Sequence, residues 1–254
     1  MIMTEQQALY TYALRLGDNA LIQSYRLSEW CSNGPILEED LALTNFALDM
    51  TGRAQALLTY AGQIEGKGQT DDDLAYRRGE RSFYNQLIFE LPNGDFAFTI
   101  ARLLFTSTYE YFFFEQLQHS ADKTLAAIAA KTLKEVKYHR AHATDWTLRL
   151  GDGTEQSHNR MQKAINELWM YTGELFETDE TEGLLEDRNI AADLAPIREK
   201  WNNHINRILE EATMAIPVAG YMQSGGRKGI HSEHLGHILS EMQYLQRAYP
   251  DATW

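Results

Sequence analysis

The chain has 254 residues, of which 23 are Lys or Arg and 36 are Asp or Glu, giving a formal net charge of −13 with histidine neutral. Such a surface repels both a phosphate backbone and an anionic membrane, which excludes nucleic-acid binding by the whole molecule and attachment to anionic lipid. With 44% hydrophobic and 23% charged residues, the chain reads as a folded protein whose single large domain, residues 1–254, can bury a core.

The hydrophobic spacing predicts helices throughout. Thr4-Glu5-Gln6-Gln7 has the form of a capping box, so a first helix runs from there to about Cys31 and ends at Asn33-Gly34-Pro35. A second runs from near Glu38 to about Ile64 and is apolar around most of its circumference, as a helix inside a bundle must be. Gly66 to Asp73 reads as a loop, and Leu74 to Leu91 as a helix with a weaker pattern. After the break at Pro92-Asn93-Gly94, Asp95 caps a helix through about Ser120 and Asp122 caps another through about Leu150. Further helices are expected over Glu155 to Phe176, Leu194 to Ala215 and Ser232 to Ala248, with Glu177 to Asp187 a solvated acidic loop. No run alternates with period two between turn signals, so no sheet is expected. The fold class is all-α, an up-and-down helical bundle with additional C-terminal helices.

A single cysteine, Cys31, can supply neither an internal disulfide nor a Cys-rich metal site, which fits a reducing compartment. The N-terminus lacks the basic start and apolar run of a signal peptide. The most apolar stretch, Leu103 to Leu117, is interrupted by Glu110 and Glu115 and is no membrane span. The expected location is the cytoplasm.

Chemistry in such a bundle is sought in polar residues on otherwise apolar helices. Glu29, Asp49, Glu110 and Glu135 place one carboxylate on each of four helices, with His139 and His142 sharing the face of Glu135. This is close to the di-iron carboxylate plan, in which two helices each give a Glu and two others each give Glu-x-x-His. The plan is incomplete here. The tetrad Asp49-Met50-Thr51-Gly52 has glycine where an imidazole is required. Glu135-Val136-Lys137-Tyr138 has its histidine one place late, at 139, which turns it by about 100° on a helix. The alternatives are a degenerate metal site and a buried polar network joining Asp49 to Arg53 or Lys137.

The chain resembles the C-subunit family of the multicomponent phenylacetyl-CoA oxygenase (1,2-epoxidase) nearly end to end. The resemblance rests on Tyr12-Ala13-Leu14-Arg15-Leu16-Gly17-Asp18-Asn19, Arg26-Leu27-Ser28-Glu29-Trp30-Cys31, Asp40-Leu41-Ala42-Leu43, Pro92-Asn93-Gly94, Lys134-Glu135 and Tyr138-His139. It continues through Gly225-Gly226-Arg227-Lys228-Gly229, His234-Leu235-Gly236 and Glu241-Met242-Gln243-Tyr244-Leu245-Gln246-Arg247. The resemblance implies a ferritin-like fold and a non-catalytic structural subunit that binds and stabilises a homologous catalytic partner holding the di-iron site. It also implies a small bridging subunit and a reductase as partners, O2 and NADPH-derived electrons as the complex's reagents, and no cofactor on this chain. The defects at Gly52 and Tyr138 agree with that assignment. The other reading is a catalytic di-iron monooxygenase with an irregular ligand set, using His139.

Two further features have open readings. The turn Gln223 to Gly229 carries Arg227 and Lys228 against the acidic background. It is either a contact for a CoA phosphate or a partner's acidic patch, or a basic turn between helices. His231, His234, His237 and Glu241 suggest a metal cluster, but His231 and His237 diverge on a regular helix, so they read as helix-start and interface histidines. The block Tyr109, Tyr111, Phe112, Phe113 and Phe114 spans a whole circumference, so some of it must face outward; it reads as packing against neighbouring long helices or, alternatively, as a subunit interface.

Overall fold

The computed structural model describes residues 3–218, 220–250 and 252. These form eleven α-helices and no β-strand, as the periodicity requires. Within the described residues the chain divides into two compact units, Met1–Pro92 with Ser224–Trp254, and Asn93–Gln223.

The first unit is built on a hairpin of α1 (Glu5–Ser28) and α2 (Leu37–Glu65). Thr4 makes the expected capping box, its hydroxyl accepting from the Gln7 amide at 3.2 Å while Gln7 returns to the Thr4 amide at 3.0 Å. The helices run antiparallel: Gln6 Nε2 near the start of α1 donates to the Ile64 carbonyl near the end of α2 at 2.6 Å. Midway, Gly17 lets the backbone of α1 approach Leu57 and Leu58, and a Cβ there would lie 2.7 Å from a Leu58 methyl carbon. Leu14, Ile22 and Leu27 from α1 and Leu43, Phe46, Met50 and Leu57 from α2 are fully buried. Leu43, Phe46, Met50 and Leu57 recur at steps of three, four and seven residues, so they share one stripe of the helix.

The long helix expected over Leu74 to Leu91 does not form. The segment instead holds α3 (Asp71–Tyr76), a 3-10 turn at Glu80–Ser82 and α4 (Leu87–Glu90). Its backbone amides are claimed by side chains of α1: the Tyr84 amide donates to Asp18 Oδ2 at 2.9 Å and the Gln86 amide to Asn19 Oδ1 at 2.8 Å. An amide satisfied in this way has no need of a helical carbonyl.

The second unit contains the hairpin of α5 (Phe96–Leu117) and α6 (Lys123–Gly151), capped by Asp95 and Asp122 as expected. Phe96 at the start of α5 meets Trp146 near the end of α6 edge-on, with centroids 5.0 Å apart, so this pair is antiparallel too. Two such hairpins of long helices are what a ferritin-like chain supplies. Against this hairpin pack α7 (Glu155–Trp169) and α9 (Leu194–Glu211), burying Trp201, whose indole donates to the Phe105 carbonyl at 2.9 Å.

Other boundaries also differ from the sequence reading: α1 ends at Ser28 and α9 at Glu211, each short of the expected Cys31 and Ala215. Helix α7 stops at Trp169, and a 3-10 turn, Gly173–Phe176, replaces its last turns. The acidic loop contains α8 (Glu180–Glu186), started by a capping box between Asp179 and Glu182 and burying Thr181, Glu182 and Leu185. The last helix is broken into α10 (Glu233–Met242) and α11 (Tyr244–Ala248) at Gln243, whose buried amide donates to the Ala75 and Arg78 carbonyls at 3.0 and 3.1 Å.

Candidate functional site

The four carboxylates sit in different environments. In the first unit α1 stops at Ser28, so Glu29 lies in the following turn, exposed and paired with Arg26 at 2.7 Å. It is therefore not an inward-facing helical ligand. Asp49 is half-buried at the edge of the solvent face of α2, and Gly52 lies on that face, where a Cβ would meet nothing within 4 Å. The place that an imidazole would occupy in a complete tetrad opens outward from α2.

In the second unit Glu110 is buried within α5. Glu135 is half-buried and 3.8 Å from Lys131, one turn earlier on α6. Tyr138 is 60% exposed, whereas His139 has no exposed surface. The slip of one residue thus carries the histidine into the packed side of α6 and leaves tyrosine on the side facing solvent. Within either unit, among the described residues, no three His, Cys, Asp or Glu side chains converge as a metal ion needs. The donor set of each unit does not fit a di-iron centre.

The glycine-rich turn is docked on the segment before α4. Gly226 and Gly229 belong to or flank a 3-10 turn, and a Cβ on them would overlap the carbonyl oxygens of Asn85 and Arg81 respectively. Gly229 also has φ +73°, a conformation that favours glycine. Close approach accounts for these glycines. Arg227 is 8% exposed, and its carbonyl accepts from Arg15 at 3.3 Å, while Lys228 faces solvent. Of the two cations singled out in the sequence, only Lys228 presents its side chain outward.

Directly after this turn lies a buried polar cluster that sequence reasoning missed. The Glu90 and His231 side chains are fully buried, with His231 Nδ1 2.8 Å from Glu90 Oε2 and Nε2 2.8 Å from the Phe83 carbonyl. Both ring nitrogens face acceptors, so the geometry suits the doubly protonated imidazolium. Asn85 Nδ2 and the Ser232 amide donate to Glu90 at 2.9 and 2.6 Å, and Arg26 donates twice to its carbonyl. Burial acts to lower the His231 pKa, but the Glu90 carboxylate, the Phe83 carbonyl and Asp18 outweigh it and leave it raised. Asp18 is itself buried and held by the guanidinium of Arg78. Burial pushes its carboxyl up, against the pull of Arg78 and the Tyr84 amide. This cluster ties segments more than a hundred residues apart, a pairing that no local spacing rule detects. His237 is exposed, and Glu241 accepts from the Tyr25 hydroxyl at 2.6 Å, so the histidines of α10 do not gather around one point.

The aromatic block divides by face. Tyr109, Phe113 and Phe114 are buried, whereas Tyr111 and Phe112 are half-buried beneath cations. The Arg140 guanidinium lies 3.5 Å from the centroid of Tyr111, and Lys200 lies 5.6 Å from that of Phe112. Burial, with Arg140 and Arg207 nearby, lowers the His204 pKa to about 4 and keeps that ring neutral. No described helix is long and apolar enough to cross a membrane.

Residues 1–254 match the family described as phenylacetic acid catabolic protein. A relative from Escherichia coli (strain K12), the C-subunit of 1,2-phenylacetyl-CoA epoxidase, is 47% identical over 246 residues, covering 97% of this chain and 99% of the relative.

Proposed function

The chain belongs to the phenylacetic acid catabolic protein family, and from that premise we propose that it is a non-catalytic structural subunit of a phenylacetyl-CoA 1,2-epoxidase. In this reading it binds and stabilises a homologous catalytic subunit that holds the di-iron centre. A small bridging subunit and a reductase complete the assembly, and the electrons and O2 are handled outside this chain. The relative over nearly its whole length is named as a subunit of such an enzyme.

The observation that carries the non-catalytic role is the state of the two ligand tetrads. Gly52 lies on the outward side of α2, Tyr138 is solvent-exposed, and His139 is packed on another face of α6. A histidine-bearing iron site would need two imidazoles beside carboxylates on shared faces. Restoring one would mean rotating α6 by about 100° about its axis, against the packing of Thr132, Val136, His139 and Ala143.

Co-expression with the homologous catalytic subunit tests the proposal. The two chains are expected to co-purify, and turnover of phenylacetyl-CoA is expected to survive Glu135→Ala in this chain. Loss of turnover with assembly and helical content intact would overturn it in favour of a catalytic site here.

A further inference from the structure

Helix α2 carries an apolar seam that its own chain leaves uncovered. Leu37, Leu41 and Leu48 are 70%, 55% and 64% exposed, and Ile36, just before the helix, is 50% exposed. With Thr44 between them, Leu37, Leu41 and Leu48 follow the spacing four, three, four. This is the spacing by which one helix packs along another in a left-handed crossing. The seam occupies three turns, about 16 Å of helix. It lies opposite Leu43, Phe46, Met50 and Leu57, which fill the core of the first unit. Three exposed leucines in register are unusual on a solvated face, because each leaves apolar area in water at about 25 cal/mol per Å².

The edges of the seam are acidic. Glu38 and Asp49 stand on one side and Asp40 on the other, and residues 37–52 contain no Lys or Arg. A second copy of this chain packed on the seam about a two-fold axis would bring Glu38 and Asp49 against the same edge of its twin, and each copy carries −13. Like charges so placed oppose pairing. The matching surface is an amphipathic helix with an apolar stripe and Lys or Arg along its edges.

Resting on the functional reading above, we infer that the Leu37–Leu41–Leu48 seam of α2 is the surface that docks a basic-edged helix of the catalytic subunit. The seam supplies the apolar centre of the contact and Glu38, Asp40 and Asp49 its polar rim, an arrangement usual for helix-in-groove recognition.

The test uses the full chain co-expressed with the catalytic subunit. The double variant L41E/L48E alters only exposed side chains, so its circular dichroism and melting temperature should match wild type. Its dissociation constant for the catalytic subunit should rise at least tenfold. The charge variant E38K/D49K should also weaken association, and most strongly at low salt. A photo-crosslinking amino acid at position 48 should join this chain to the catalytic subunit, whereas one at exposed Tyr244 should not. Unchanged affinity in L41E/L48E, or no crosslink from position 48, overturns the docking surface and leaves the functional reading standing. A wild-type chain that fails to associate overturns the functional reading itself, and the docking surface with it. A homodimer of the isolated chain that L41E/L48E abolishes assigns the seam to a second copy and overturns the inference.

Discussion

In the first unit the buried side chains include Asp18, Glu90 and His231, with Arg78 largely enclosed beside them, whereas the second unit is centred on Phe105, Trp169, Phe176 and Trp201. The rings of the second unit contact one another edge-on or tilted at centroid distances of 5.5 to 6.0 Å. That ring cluster contains no titrating side chain and depends on volume. The first unit instead closes with directed bonds between distant segments, and these hold only while their protons are in place. The ring cluster of one unit and the polar cluster of the other therefore respond to different perturbations.

The largest effect expected is in the aromatic core. Trp201→Ala removes the ring shared by Phe105, Trp169 and Phe176 and should destabilise the second unit by about 3–5 kcal/mol. Urea unfolding read by amide exchange in that unit would measure it, and the loss should be the same at pH 6 and pH 8. A strongly pH-dependent loss would break the contrast between the units.

Arg78→Ala tests the other side. It strands the Asp18 carboxylate, with only the Tyr84 amide left among the bonds described above, and should destabilise the first unit by roughly 3–5 kcal/mol at neutral pH. Because burial already raises the Asp18 pKa, acidification lets the stranded group take up a proton. The deficit of the variant should therefore shrink as the pH falls.

His231 sharpens the comparison by its sign. Its pKa is raised in the folded protein, so the folded state holds the proton more tightly than the unfolded chain does. The stability it contributes is complete below its ordinary value near 6.5 and is lost as the pH climbs through the folded value. His231→Gln should cost about 1–3 kcal/mol at pH 6 and progressively less toward alkaline pH, measured by urea unfolding across that range. A deficit that is flat with pH would show that the ring is neutral in the folded protein.

The smallest effect is a gain. Gly52 is helical, and a Cβ there meets open space, so Gly52→Ala should stabilise α2 by about 0.5–1 kcal/mol. A loss instead would mean that this face of α2 tolerates no side chain.

The long helices were legible because their signals are local: Thr4, Asp95 and Asp122 cap within three residues, and the apolar stripes recur every turn. Residues 74–91 were not legible, since Asp18 and Asn19 claim their amides from 66 and 67 positions away. The α8 helix was missed although its capping box, Asp179 to Glu182, was visible, because the run of acids around it reads as solvated. The departures of Gly52 and Tyr138 from a Glu-x-x-His pattern could be read from spacing alone. The Glu90–His231 pair joins residues 141 apart, and its two halves look ordinary in their own neighbourhoods. The glycines at 226 and 229 resembled an anion cradle because the close approach they permit is to backbone that only the fold brings near.

The first unit is assembled from both ends of the sequence, with the whole of the second unit made in between. During synthesis Glu90 leaves the ribosome long before His231 exists, and at ordinary translation speed the wait is on the order of ten seconds. Through that interval α4 carries the Glu90 carboxylate without its counter-ion, and the Asn85–Gln86 backbone before it lacks its glycine turn. The segment up to Pro92 is therefore made before the second unit and completed only after it.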